Sequence, residues 1–160
     1  MTKKREMKIS RIENGTVIDH IHPGTAMVVF EILNLREDVE GSIMLGIRVD
    51  SGQLSEKDLL KIENRFLTST ESAMVALVSP NATINIIRDY EVREKHTVEV
   101  PDEWSGIFHC NNPSCISNHE REPVESEFEV KDRHPLVVRC RYCSTLMNEK
   151  QITQQLLGND

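Results

Sequence analysis

The stretch DLLKIENRF, residues 58–66, decides how the first two-thirds of this chain is read. Ser55 followed by Asp58 imitates a capping box, the signature of a helix start. The run itself argues otherwise. Leu60, Ile62 and Phe66 alternate with Lys61, Glu63 and Arg65, the period-2 pattern of a strand with one buried face. The alternation prevails, and the segment reads as a strand.

Upstream, Gly15-Thr-Val-Ile-Asp-His-Ile21 is rich in β-branched residues and predicts a strand, and Pro23-Gly24 punctuates it. Thr25 is a good N-cap for the run AMVVFEILNL, in which Ala26, Val29, Phe30 and Leu33 share one helical face. Residues 34–41 read as an acidic loop, and Ser42–Val49 as a second strand. Downstream, Thr68 to Thr70 can cap a short helix over Ala73–Val78, which Pro80 ends. ATINIIRDYEV, residues 82–92, predicts one further strand. The order is strand, helix, strand, strand, helix, strand. That is the βαββαβ pattern of a ferredoxin-like antiparallel sheet with both helices on one face, in an α+β chain.

Residues 95–103, KHTVEVPDE, read as a hinge. We divide the chain there into residues 1–98 and a smaller β-rich unit, 99–160, with strands expected at 128–130 and 136–140. Residues 1–8 read as a polar, mobile tail.

The chain has 160 residues, 38% hydrophobic and 28% charged, the profile of a globular protein rather than a disordered one. Its formal net charge of −7 speaks against a broad surface for nucleic acid and leaves room for a local basic pocket. No apolar run approaches the ~20 residues that span a bilayer, and MTKKREMK lacks the apolar segment of a secretion signal. The expected location is the cytoplasm, where disulfides rarely persist.

All four cysteines lie in the smaller unit: Cys110 and Cys115 in HCNNPSC, Cys140 and Cys143 in CRYC. Two close pairs on short loops suit four sulfurs at ~2.3 Å around one tetrahedral Zn²⁺. Two disulfides, four unrelated buried thiols and a redox CxxC are the competing readings. A short, core-poor unit in a reducing compartment needs a metal staple, so structural zinc is preferred. Four thiolates leave no open position for catalysis. His109 and His119 read as surface residues, and Arg139 and Arg141 as cations favouring the thiolate between them.

With GTVIDHI (15–21), KDLLKIEN (57–64), ATINIIRDYEV (82–92) and CNNPSCIS…CRYC (110–143) in this order, the chain resembles the regulatory chain of aspartate carbamoyltransferase over nearly its whole length. The resemblance implies a non-catalytic allosteric subunit of pyrimidine biosynthesis. Its forward domain would bind nucleoside triphosphates (CTP, ATP or UTP) and pair as a homodimer. Its zinc domain would dock on catalytic chains. It assigns Lys95 and His20 to phosphate, and Lys61 and Asp19 to ribose or base. Ile9, Ser10, Arg11 and Ile12 form one wall of the site, and Asn85, Ile87, Tyr90 and Val92 the other. Asn112 is the expected partner contact. Ser10, Arg11, Ser114 and Ser144 depart from what other members can carry. The rival readings are a zinc-ribbon module contacting nucleic acid or a transcription complex, and an enzyme. The acidic balance opposes the first. For the second, no nucleophile–base grouping stands out.

Overall fold

A computed structural model of the chain describes residues 11–37, 39–50, 52, 55–121 and 124–158. The expected tail at 1–8 and the site residues Ile9 and Ser10 lie outside the described residues. In the forward part the order is β1 (Gly15–Ile21), α1 (Ala26–Ile32), β2 (Ile43–Asp50), β3 (Glu56–Glu63), α2 (Ser69–Val78), β4 (Thr83–Arg88) and β5 (Glu91–Thr97). These five strands form one antiparallel sheet in the order β2-β3-β1-β4-β5. Its first four strands are the ferredoxin-like arrangement, in which each helix carries the chain across an intervening antiparallel strand.

Only the first part of the alternation in DLLKIENRF is realised: β3 runs Glu56–Glu63, Asn64 turns the chain with φ 59°, and beyond it Arg65 is the inward side chain and Phe66 the exposed one. Leu60 and Ile62 are fully buried with Ile18 and Ile84 beneath the helices, while Lys61 faces the other side. From α1 come Ala26, Val29 and Ile32, and from α2 Val75, Ala76, Leu77 and Val78. Each fully buried Val, Leu or Ile contributes about 1.5–3 kcal/mol against its exposed state, which suffices to fix which face is inward. Gly15 opens β1 where any larger residue would collide: a Cβ would sit 2.1 Å from the Ile62 carbonyl oxygen.

Asp58 explains the false helix signal. It is only 1% exposed, and its carboxylate caps a different helix. Oδ2 accepts from the Gly24 and Ala26 N–H groups at 2.9 and 3.1 Å, and Oδ1 accepts from Arg48 N–H at 2.9 Å. Thr25, expected to cap α1, holds the N-cap position without any side-chain bond. The acid from β3 satisfies the orphan donors instead.

Two further expectations change. Residues 82–92 are not one strand. Asp89 and Tyr90 both adopt positive φ, 53° and 67°, and turn the chain into the β4–β5 hairpin. The expected hinge is consequently shorter, since residues up to Thr97 belong to β5 and the irregular link covers 98–102. α2 begins at Ser69 rather than Ala73, because Thr68 and Glu71 form a reciprocal capping box.

The rear part contains β6 (Glu103–Ser105), a 3₁₀ turn at Ile116–Asn118, β7 (Glu127–Arg133), β8 (Leu136–Cys140), β9 (Leu146–Asn148) and α3 (Glu149–Leu156). Its four strands pair in sequence order as an antiparallel sheet. Trp104, Phe108 and Phe128 stack in its core, with ring centroids 5.9 and 4.6 Å apart. α3 was not expected. Asn148 and Gln151 cap it reciprocally, and Ile152 is its buried anchor. Among the described residues, no helix is long and apolar enough to cross a membrane.

Candidate functional site

The helices cover one face of the five-stranded sheet. On the opposite face, register aligns Met44, Lys61, Val17, Asn85 and Lys95 in a row across β2, β3, β1, β4 and β5. Directly opposed residues on one face stand ~5 Å apart, so this row is a continuous strip of surface. A cavity of about 370 Å³ opens over it. Of the residues expected at the site, Arg11, Ile12, Asp19, Lys61, Asn85, Ile87, Tyr90 and Val92 line the cavity. Val17 and Leu59 complete the floor and were missed, although each sits two residues from a named one on the same strand face.

Lys95 does not line the cavity, but register places it beside Asn85. His20 does not line it either: it sits in a β-bulge with φ 56°, its Nδ1 3.1 Å from Thr83 Oγ1, and faces a separate cavity that it shares with Lys57. Lys57 is not among the expected residues, yet its ammonium is 2.8 Å from the Asp19 carboxylate.

Burial alone would raise the Asp19 carboxyl, but the Lys57 hydrogen bond, the His20 N–H and the Lys57 charge outweigh it and hold the group below its ordinary value. Lys61 is lowered, chiefly by burial; Asp19 opposes that shift and Arg11 adds to it. Tyr90 and Val92 are 56% and 57% exposed, an apolar surface at the hairpin beside these charges. A cationic, partly apolar strip with one anchored carboxylate can hold a flat, polar, anionic molecule.

The second centre lies in the rear part. The Sγ atoms of Cys110, Cys115, Cys140 and Cys143 all lie within 4.8 Å of one another. Cys110 and Cys143 are 3.5 Å apart, and Cys115 and Cys140 3.6 Å. Sulfurs ~2.3 Å from a tetrahedral ion stand about 3.8 Å from each other, so the donor set fits a structural metal with little adjustment. Each loop is pinned by the backbone: Cys115 N–H donates to Asn112 O at 3.0 Å, and Ser144 N–H to Cys140 O at 2.9 Å, with Ser144 at φ 66°. Asn118, unnoticed in the sequence, donates from Nδ2 to the Cys110 and Asn112 carbonyls, both at 2.8 Å. Asn112 Oδ1 accepts from Ser114 N–H at 3.0 Å, which holds that loop in shape.

The thiols are unequal. Burial pushes Cys110 up to about 12, whereas Cys143, whose sulfur is 3.1 Å from the Thr145 hydroxyl, is lowered to about 6. Cys140 is raised, mainly by burial. The expected help from Arg139 and Arg141 is absent, because Arg139 pairs with Glu129 and Arg141 with Glu103. His109 and His119 are exposed and outside the sulfur cluster.

Comparison with known proteins covers both centres. The family model described as aspartate carbamoyltransferase regulatory chain, allosteric domain, matches residues 7–99, and the metal binding domain of the same regulatory chain matches residues 102–153. Similar curated proteins include aspartate carbamoyltransferase regulatory chains from Thermoplasma volcanium and Pyrococcus abyssi. The first is 49% identical over 94% of this chain and 98% of its own. The second is 50% identical over 94% of this chain and 99% of its own. That of Methanopyrus kandleri is 46% identical over 92% and 94%. The chain belongs to the aspartate carbamoyltransferase regulatory chain family, as a regulatory and non-catalytic subunit.

Proposed function

We propose that the outer-face cavity takes nucleoside triphosphates, CTP, ATP or UTP, and that their binding carries feedback control of pyrimidine biosynthesis to catalytic chains of aspartate carbamoyltransferase. The observation that carries this reading is the aligned strip of Lys61, Val17 and Asn85 beneath a cavity that also holds Arg11 and Asp19, with Lys95 next in the row. In this reading Lys95 and His20 meet phosphates, and Lys61 and Asp19 meet ribose or base. Ile9, Ser10, Arg11 and Ile12 close one side, and Asn85, Ile87, Tyr90 and Val92 the other.

The division of labour follows the two sheets. Residues 1–98 sense the effector and pair with a second regulatory chain. Residues 99–160 hold one Zn²⁺ on Cys110, Cys115, Cys140 and Cys143 and dock on a catalytic chain, with Asn112 in the contact. Zinc is the metal that a closed set of four thiolates suits best. A subunit without catalytic groups regulates by binding two quaternary states unequally, and a difference of ~1–3 kcal/mol is a typical coupling.

Titration calorimetry of the purified chain with CTP and with ATP tests the site. Binding to the wild type, weakened at least about tenfold in Lys61→Ala by loss of a charge-assisted contact, supports the assignment. Unchanged affinity in that variant contradicts it.

A further inference from the structure

The first cysteine loop, residues 109–115, belongs to no strand or helix, so its backbone groups need partners from elsewhere. Asn118, in the 3₁₀ turn that follows, takes the carbonyls of Cys110 and Asn112. The tie at the loop's entrance comes from α3, 46 residues along the chain. There Gln155 pairs with His109 as one peptide group pairs with another. Its Oε1 accepts from His109 N–H at 2.9 Å, and its Nε2 donates to His109 O at 2.9 Å. The same Nε2 donates to Asn111 Oδ1, also at 2.9 Å. A backbone N–H can only donate and a carbonyl only accept, so a single orientation of the Gln155 amide satisfies all three bonds. The helix that presents it is itself anchored, by the Asn148–Gln151 cap and by fully buried Ile152. Gln155 is half-buried, whereas Gln154 beside it is exposed; both line a groove of about 570 Å³ between α3 and the loop.

We infer that Gln155 is a positioning residue, through which α3 sets the shape of the first cysteine loop and slows the loss of the metal held there. This rests on the reading of the four cysteines as a metal site. The carbonyl that Gln155 holds belongs to the peptide leading directly into Cys110. Fixing that peptide fixes the direction from which the Cys110 sulfur reaches the cluster. Asn111, the other group it holds, stands between Cys110 and Asn112, the residue proposed to meet the catalytic chain. Loss of a group that orients a metal ligand from behind typically costs about 10–100-fold in metal affinity.

Metal release from the purified full chain to a chromogenic chelator tests this, in the wild type, Gln155→Met, Gln155→Glu and Gln154→Met. Methionine and glutamate both suit a helix, so α3 keeps its propensity. Glutamate keeps an acceptor for His109 N–H but cannot donate to the loop. The expected result is release about tenfold faster from both Gln155 variants and unchanged from Gln154→Met. Amide hydrogen exchange then quickens at Cys115, whose N–H closes the loop onto Asn112 O, and not at buried Val138 in β8. Unchanged release from the Gln155 variants overturns the inference, as does wild-type release from Gln155→Glu or equal acceleration in Gln154→Met. Exchange that quickens at Val138 as much as at Cys115 makes Gln155 a packing residue of the whole rear part and overturns it too. A wild-type chain without bound metal removes the reading of the cluster and this inference with it.

Discussion

The two halves of this molecule reach order by different means. The forward half buries a layer of aliphatic side chains, Ile18, Leu60, Ile62 and Ile84 from the sheet against Val29, Val75 and Leu77 from two helices. The rear half adds the aromatic side chains Trp104, Phe108 and Phe128 to the same continuous buried cluster, and brings four sulfurs together beside them. A sheet with two helices on one side can stand on hydrophobic burial and leave its other face for a ligand. A short four-stranded sheet carrying long loops gains from a metal that ties those loops. The contrast means that each half has its own point of failure.

The largest effect follows from Cys140→Ser. A structural metal on four thiolates, if it is the proposed zinc, contributes ~10–16 kcal/mol of apparent binding free energy at neutral pH, so bound metal falls to none and the rear sheet loses its fold. Metal analysis together with amide NMR checks this, and the forward resonances are expected to stay in place. Asp58→Ala acts on the other half. It strands the buried N–H groups that Asp58 accepts from Gly24, Ala26 and Arg48, at a cost of about 2–4 kcal/mol, read as a lowered denaturation midpoint with metal content unchanged. Ile84→Ala removes a fully buried side chain and costs about 2–5 kcal/mol in the same assay. Loss of metal in either forward-half variant merges the two halves into one cooperative unit and breaks the contrast.

Smaller effects sharpen it. Thr68→Ala removes the cap of α2 and costs about 1 kcal/mol. The Asp19–Lys57 pair gives a pH signature. Because the Asp19 carboxyl is held below its ordinary value, its contribution is present above the ordinary carboxylate range and is lost as pH falls through the lowered value. Lys57→Met abolishes this acid-dependent part, under about 1 kcal/mol for a partly exposed pair, in denaturant titrations from neutral to acid pH.

What the sequence revealed depended on how local each signal was. The alternation of Leu60, Lys61, Ile62 and Glu63 was enough to place β3, though not its end before Arg65 and Phe66, and the spacing of the cysteines was enough to bring them together, because both patterns refer to a single element or a single cluster. The β4–β5 turn was hidden because Asp89-Tyr90 lacks the glycine that normally marks a two-residue hairpin, and Tyr90 takes positive φ against its intrinsic preference. The cap of α1 was hidden for another reason. Its donor-acceptor partner, Asp58, is far along the chain, and only the folded sheet delivers it. Arg139 and Arg141 looked like helpers of Cys140 from adjacency alone, while alternation along β8 and its surroundings turns them to Glu129 and Glu103. Of the cavity, the charged residues were visible as departures from a plain strand face. Val17 and Leu59 were not, since aliphatic residues on a strand look the same whether they floor a site or fill a core.

The account turns on the separate upkeep of the two halves, and chelation tests it most directly. Metal is stripped from the purified chain, and CTP binding and association with a catalytic chain are then measured on the same sample by calorimetry and size exclusion. The account predicts that nucleotide affinity survives within about twofold while association disappears, and returns when zinc is restored. Assembly that persists without metal, or nucleotide binding that vanishes with it, contradicts the account.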